Sequence, residues 1–258
     1  MVAESASNPP ARQVSVLLEQ RPLVDGRAQQ GLALSDEANF SSTHNTLYRF
    51  DTKWNLVKSR PIHIEGVNHL GAIHYHDGFI WAGFLNHGRT ADDEYDPTQN
   101  RSIIARIDAE TLEVVATWDI TEDCTWIDPV CFDGTHLWVG EMHNLGIHRY
   151  RLVDGKLVRD GVLRYPPEMS FSQGVRIRGN KLYTIHTFGS MDGLFEFELP
   201  SCLTAEVQRP TRVRPIQETV MHLEGFDFVP GTKNQIWHAQ GSQVDRYRLD
   251  GLDAGGGE

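Results

Sequence analysis

The 258-residue chain is poor in several features, and each shortage argues against a class of protein. Only three cysteines occur, and their spacing fits neither a zinc ribbon nor a CxxC motif, so free thiols in a reducing compartment are expected rather than a disulfide framework. Basic residues number 24 against 35 acidic ones, and the net charge of -11 predicts no nucleic-acid partner and no anionic membrane surface.

Long apolar runs are also missing. No stretch reaches the roughly 18 consecutive apolar residues of a membrane span, and the N-terminal segment 1–12 is polar with no apolar core of a signal peptide. We therefore expect no membrane association and a cytoplasmic location. A sustained helical period is absent too, whereas 23 glycines and 12 prolines are scattered as punctuation, which favours many short strands joined by turns.

The sequence contains an internal repeat in five copies. Each copy has a polar and a small residue, a hydrophobic segment, a turn, a strand that begins with an aromatic residue and a strand in which apolar and charged residues alternate. The copies begin near Gln30-Gly31-Leu32, Gly71-Ala72-Ile73, Asp128-Pro129-Val130, Gln173-Gly174-Val175 and Glu224-Gly225-Phe226. One such unit cannot bury its own apolar face and must stack on its neighbours. The repeat therefore predicts a ring of similar β-sheets.

The third strand of each copy aligns the repeats best, because apolar and charged residues alternate in it with period two, as in a half-buried strand. Its central apolar residues are 43 to 57 positions apart, which is the length of one four-stranded blade. They are Phe50, Ile107, Tyr150, Phe197 and Tyr247. An aromatic residue leads each second strand, and we expect these five to pack between blades. They are Phe40, Trp81, Trp138, Tyr183 and Trp237.

The last copy ends after its third strand, whereas the segment Val14 to Leu18 stands alone before the first copy. We predict that this segment completes the last blade, because closing the ring removes an open sheet edge. The predicted fold is all-β, a single five-bladed β-propeller domain over residues 1–258. The predicted parts are a flexible tail 1–12, a closing strand 13–25, blades at about 28–65, 66–122, 123–166, 167–217 and 218–251, and a flexible tail 252–258.

In a propeller, the starts of the first strands and the ends of the second strands converge on one mouth of the central channel. At three aligned positions there, most of the side chains are polar or aromatic, where small apolar ones would be expected in a channel that serves only packing. The first position holds Gln30, Gly71, Asp128, Gln173 and Glu224. Two residues earlier lie Ala28, His69, Trp126, Phe171 and His222. Three residues after the second-strand aromatic lie Thr43, Phe84, Glu141, His186 and Gln240.

This composition predicts proton-transfer chemistry, because imidazole titrates near neutral pH and a carboxyl buried among aromatics has a raised pKa. The predicted catalytic residues are Glu224, His69, His222 and Asp128. The predicted substrate-binding residues are Gln30, Trp126, Glu141, Phe171, Gln173, His186, Gln240 and Phe84. The alternative is structural: the same acids and amides hydrogen-bond the backbones of neighbouring blades.

Two further features leave alternatives open. The proton-transfer chemistry requires no metal. A divalent metal ion could nevertheless be bound at the mouth, with ligands contributed by several blades. The possible ligands are His69, His186, His222, Asp128, Glu141 and Glu224. The long acidic insertion 87–101 lies over the same mouth and is either a lid over the pocket or a solvated loop.

The strand starts Gln29-Gln30-Gly31-Leu32 and Phe171-Ser172-Gln173-Gly174-Val175 resemble those of plant-type glutamine cyclotransferases. More loosely, the blade pattern is similar to lactonase and streptogramin-lyase propellers. The first resemblance implies a five-bladed ring with a central polar pocket, and the second implies a divalent ion. A counterpart of the cyclotransferase Asn-Glu-Leu-Glu segment is absent from the sequence.

We therefore expect an enzyme for a small-molecule substrate that uses acid/base chemistry in the central pocket, as a cyclase, lyase or isomerase. A metal-dependent hydrolase or lactonase is one alternative, and a non-catalytic propeller that binds a ligand or a protein is the other. The absence of a WD dipeptide series and of an extended docking stretch favours the enzyme. The sequence indicates neither the substrate nor the oligomeric state.

Overall fold

The computed structural model describes residues 11–12, 14–23, 27–86, 88, 96–142, 146–187, 193–204, 206–216 and 223–251. Two strands, β1 (Ala11–Arg12) and β2 (Ser15–Pro22), precede the repeats. Blade 1 comprises β3 (Leu32–Leu34), β4 (Asn39–Ser42), β5 (Thr46–Phe50) and β6 (Leu56–Pro61). Blade 2 comprises β7 (His69–His76), β8 (Phe79–Asn86), β9 (Arg101–Asp108) and β10 (Val114–Asp119).

The other three blades follow the same antiparallel order. Blade 3 comprises β11 (Ile127–Phe132), β12 (His136–Glu141), β13 (Gly146–Val153) and β14 (Lys156–Arg164). Blade 4 comprises β15 (Ser172–Arg178), β16 (Lys181–His186), β17 (Gly193–Glu198) and β18 (Arg212–Arg214). Blade 5 comprises β19 (Phe226–Phe228), β20 (Gln235–Gln240) and β21 (Gln243–Leu249). Short 3-10 helices span Pro97–Gln99 and Pro167–Met169.

Each blade runs from the axis outward in chain order. The first strands are almost wholly buried, as β3 and β11 show, whereas the outer strand β6 is exposed at every position. This gradient explains why the first strands read as short apolar segments and the outer strands as mixed ones. The all-β, five-bladed propeller predicted from the repeats is confirmed.

The N-terminal segment closes the ring. Strand β2 pairs antiparallel with β21, from Ser15 opposite Leu249 to Pro22 opposite Gln243, and so supplies the fourth strand of blade 5. The predicted closure is therefore confirmed. Strand β1, which we expected to belong to a flexible tail, instead pairs in parallel with β18 of blade 4, because that short strand leaves an edge to be covered.

Five hydrophobic clusters fill the spaces between blades, and each contains one of the aromatics that lead the second strands. Phe40 packs with Leu70 and Ile73 of blade 2, while Trp237 packs with Leu32 and Phe50 of blade 1. The remaining three, Trp81, Trp138 and Tyr183, belong one each to the other clusters. The second-strand aromatics therefore serve inter-blade packing, as predicted.

Within the described ranges, no helix is long and apolar enough to cross a membrane.

Candidate active site

Two carboxyl groups are buried at the axial starts of the first strands. Asp128 in β11 is 2% exposed and Glu224, just before β19, is 1% exposed. Glu224 lies close enough to Asp128 for the charge of one to act on the other. Buried carboxyl groups are rare in proteins unless they are paired or functional. The repeat thus brings two acids from non-adjacent blades together at the axis.

Small residues allow this layer to pack tightly. A Cβ atom at Gly71 would lie 2.0 Å from Asp128 Oδ1, and one at Gly225 would lie 2.9 Å from the Gln30 carbonyl oxygen. The amide of Ala72 donates to Asp128 Oδ1 at 2.9 Å. Glycine at position 71 is therefore required for the Asp128 carboxyl to occupy the axis beside the blade 2 backbone.

Burial makes both carboxyl groups reluctant to ionise. Desolvation raises the pKa of Asp128 to about 7, although the Ala72 hydrogen bond opposes the shift. Burial also raises the pKa of Glu224 well above its usual range, and the charge of Asp128 raises it further. Because the two groups interact, ionisation of either one favours the proton on the other.

Two buried amides complete this layer. Gln173 is buried, with 5% of its surface exposed, and its Oε1 atom accepts no hydrogen bond from any described residue. Gln30 is 7% exposed. Its main-chain carbonyl oxygen accepts a hydrogen bond from Gly225 N at 2.8 Å, which joins blade 1 to blade 5. A buried oxygen without a protein donor is costly, so Gln173 is suited to accept a hydrogen bond from a ligand.

The predicted site residues two positions before the acids and amides that the structure describes, His69, Trp126 and Phe171, are partly buried at the rim. His69 begins β7, and its Nδ1 atom lies 2.8 Å from Nδ1 of His44, so one ring must carry the shared hydrogen. Trp126 donates from Nε1 to Asn100 Oδ1 at 3.0 Å, which turns it toward blade 2. Phe171 is half-buried directly before β15. His222, predicted to be catalytic, lies outside the described residues.

The residues predicted at the second-strand ends are buried and make contacts within and between blades. Phe84 belongs to the core between blades 1 and 2, and Glu141 bonds His148 of its own blade through oxygen Oε2 at 2.9 Å. His186 packs edge-on against Tyr165 and Phe195, and burial lowers its pKa to about 3.

Gln240 is completely buried on the face of β20 shared with Ile236, which packs between blades 4 and 5. The second strand lies one strand away from the axis, and both of its faces meet neighbouring blades. Substrate contact by these four residues therefore stays a prediction, and the candidate site is built on the carboxyl pair.

An arginine that the sequence reading passed over closes the axis below the carboxyl layer. Arg176 is 2% exposed and donates from Nε to Asp227 Oδ1 at 2.9 Å. Its Nη2 atom donates to the carbonyl oxygens of Leu32 and Ile73 at 2.5 and 2.8 Å. One guanidinium thus joins blades 1, 2, 4 and 5 next to the carboxyl layer.

A signal for Arg176 was present in the repeat alignment. Three residues after the acid and amide position, blades 4 and 5 carry Arg176 and Asp227, opposite charges at equivalent places. His238 was missed as well: its Nε2 atom accepts from Glu224 N at 3.2 Å, and burial lowers its pKa to about 3. A neutral imidazole therefore supports the backbone of Glu224.

Among the described residues, possible metal ligands converge at one place. In the part of the chain that the structure describes, His, Cys, Asp or Glu ligand atoms converge at Cys124, Glu141 and His148, away from the axis. Of the six ligands expected at the mouth, only Glu141 belongs to this group, and His222 is outside the described ranges.

No protein-family profile and no curated protein sequence matches the chain. Solved structures are similar in fold. The glutaminyl cyclase of Myxococcus xanthus has a TM-score of 0.67 at 12% identity over 93% of this chain and 98% of the other. A protein described as a putative gluconolactonase has a TM-score of 0.50 at 15% identity, over 83% and 70% of the two chains. At these identities the similarity shows the fold and leaves the function to the site.

Proposed function

We propose that the protein is a small-molecule enzyme that performs acid/base chemistry with Asp128 and Glu224, and that its reaction is an intramolecular cyclisation. The observation that carries the proposal is the pair of carboxyl groups, Asp128 and Glu224, that are buried close together at the axis and whose pKa values are both raised. Environments that separate the pKa values of two neighbouring acids assign one as base and the other as acid. The fold shared with a glutaminyl cyclase supports cyclisation over the lyase and isomerase alternatives.

Cyclisation needs one proton removed and one delivered. In the proposed reaction, ionised Asp128 takes a proton from the nucleophile of the substrate as the new ring bond forms, and protonated Glu224 gives a proton to the leaving group as the old bond breaks. For a glutaminyl substrate, the α-amino nitrogen attacks the side-chain amide carbon and ammonia leaves. The proton then returns from Asp128 to Glu224, which restores the starting state.

The surroundings suit a compact substrate with polar and apolar parts. Gln173 supplies a buried acceptor oxygen for a donor group of the substrate. Trp126 and Phe171 lie half-buried at the rim, where they would contact its apolar part. Arg176 closes the floor beneath the carboxyl pair. Because these polar groups are buried, bulk water is excluded from them, and their electrostatic interactions with a substrate would be stronger than in water.

The test measures ammonia release from glutaminyl dipeptides by the wild-type protein and by Glu224→Gln and Asp128→Asn. Each substitution removes a transferable proton while keeping the side-chain volume, so turnover should fall by about 10²- to 10⁴-fold. Glu37→Gln is the matched control, because Glu37 is exposed in a turn of blade 1 and should keep full activity.

His69→Ala examines the predicted proton transfer at the rim in the same assay. Failure of the wild-type protein to release ammonia above a blank without enzyme would contradict cyclisation of glutaminyl groups. Wild-type turnover in both carboxyl variants would contradict the acid/base assignment itself. Unfolding temperatures of all variants, measured in parallel, separate loss of chemistry from loss of folding.

A further inference from the structure

A second polar cluster lies away from the axis, inside blade 3. Cys124 occupies the turn that leads into β11, Glu141 ends β12, and His148 lies within β13. All three are buried, with exposures of 2%, 3% and 4%. One potential ligand atom from each lies within 4.8 Å of the other two. Three segments of the chain thus present a thiol, a carboxylate and an imidazole to one point.

The three groups are already connected to one another and to the backbone. His148 Nε2 lies 2.9 Å from Glu141 Oε2, and the charge of this carboxylate acts on the thiol of Cys124. The amide of Thr125 donates to Glu141 Oε1 at 3.1 Å, which orients the carboxylate. His148 Nδ1 has no hydrogen-bond partner among the described residues, so Glu141 is the group that orients the ring. When Nε2 binds a metal ion, the neutral imidazole carries its one proton on Nδ1.

From these contacts we propose that Cys124, Glu141 and His148 form a structural site for a borderline-soft divalent cation of the zinc class. Sulfur, imidazole nitrogen and carboxylate oxygen are the ligands that Zn²⁺ takes in proteins. With the thiol deprotonated and the imidazole neutral, two negative charges balance the ion, so a buried site carries no net charge. Zinc bonds of about 2.0–2.3 Å require ligand atoms roughly 3–4 Å apart, a small closure from the observed arrangement.

A buried hydroxyl near the cluster could hold a water in the fourth coordination position. Tyr150 Oη has no hydrogen-bond partner in the described chain, and Tyr150 packs in the same cluster as Cys124. The charges of Cys124 and Glu141 act on this hydroxyl. A water bound to the ion would find in Tyr150 the polar partner that a buried water needs.

The site would support the mouth without taking part in the proposed reaction. Cys124 is two residues before Trp126 and four before Asp128, so an ion held there would attach this segment to β12 and β13. Without the ion, burial and the charge of Glu141 raise the pKa of the Cys124 thiol. Binding reverses this effect, since the cation stabilises the thiolate, and releases a proton.

Cobalt tests the site directly. The protein is dialysed against a chelator and titrated with Co²⁺, whose thiolate complexes absorb in the near ultraviolet, and Zn²⁺ is then added to displace the Co²⁺. We expect the band to saturate at one ion per chain. Cys124→Ser should abolish it, and the affinity for Zn²⁺ should fall by more than about 100-fold, because residues that only orient ligands already change affinity by about 10- to 100-fold.

Cys131→Ser and Cys202→Ser are matched controls, because both replace buried thiols outside the cluster and should keep the band. No band in the wild-type protein would overturn the proposal, as would its loss in either control with retention in Cys124→Ser. If Cys124→Ser does not fold, His148→Gln replaces it, and an unchanged cobalt spectrum in that variant overturns the proposal. All readouts are spectroscopic, so they are independent of whether the axial carboxyl groups catalyse a reaction.

Discussion

Replacement of the buried arginine at the axis should destabilise the propeller strongly. Arg176→Met keeps most of the side-chain volume but leaves Asp227 as a buried carboxylate without its cation. It also removes the donors to the carbonyl oxygens of Leu32 and Ile73. Removing one partner of a buried ion pair costs about 3–5 kcal/mol in the free energy of unfolding.

The expected shift follows from the size of the chain. For a domain of this length, 1 kcal/mol corresponds to roughly 2 °C, so Arg176→Met should lower Tm by about 6–10 °C. Arg101→Met is the matched control, because Arg101 pairs with Asp119 at 3.1 Å on the surface and its side chain is 41% exposed. An exposed pair contributes about 0–1 kcal/mol, so this control should shift Tm by about 2 °C or less.

A double variant separates the lost charge balance from lost packing. Asp227→Asn removes the carboxylate charge but keeps an oxygen that can accept from Leu34 N, as Asp227 Oδ2 does at 2.9 Å. Arg176→Met with Asp227→Asn should therefore be more stable than Arg176→Met alone. Calorimetry or thermal unfolding followed by circular dichroism measures all four proteins. Equal Tm values for Arg176→Met and Arg101→Met, or a double variant less stable than the single one, would refute the reasoning.

Two further predictions concern Asp128 and the closing strand. The folded pKa of Asp128, about 7, lies above the unfolded value of about 3.9, so the folded state holds the extra proton and its stability falls as pH rises between these values. Asp128→Asn cannot ionise and should gain Tm relative to wild type from pH 4 to pH 8; a constant difference would contradict the shift. Deleting residues 1–20 removes most of β2 and exposes the edge of β21, so Tm should fall and size-exclusion chromatography should show self-association; an undiminished Tm would contradict closure by β2.

The ring was predictable because its signals are local and repeated. Alternation in each third strand depends only on the two-residue period of a pleated strand, and it recurs at Phe50, Ile107 and Tyr150 without regard to partners. The five second-strand aromatics recur for an equally simple reason, since each fills the space beside the next blade. The missing fourth strand of blade 5 and the unassigned strand near Val16 were complementary, which predicted the closure.

The polar site was predictable only in part. The position shared by Asp128 and Glu224 was visible as a departure from the repeat, because first strands line the axis. The direction of second-strand side chains was not visible, and Glu141 and His186 were accordingly expected at the mouth although they lie between strands and blades. A side chain at the end of a second strand can be buried on either face of its sheet. The repeat alone does not show whether that side chain points to a neighbouring blade or to the axis.

The amino-acid sequence by itself determined the number of blades, their strand order and the closure of the ring, because these depend on periodicity and on apolar faces that must be covered. Tertiary structure decided which polar groups meet. Arg176 joins four blades, and Cys124, Glu141 and His148 converge from three segments, although the sequence did not indicate that these groups would meet. Contacts between blades depend on the register and rotation of one sheet against another, which no single strand contains.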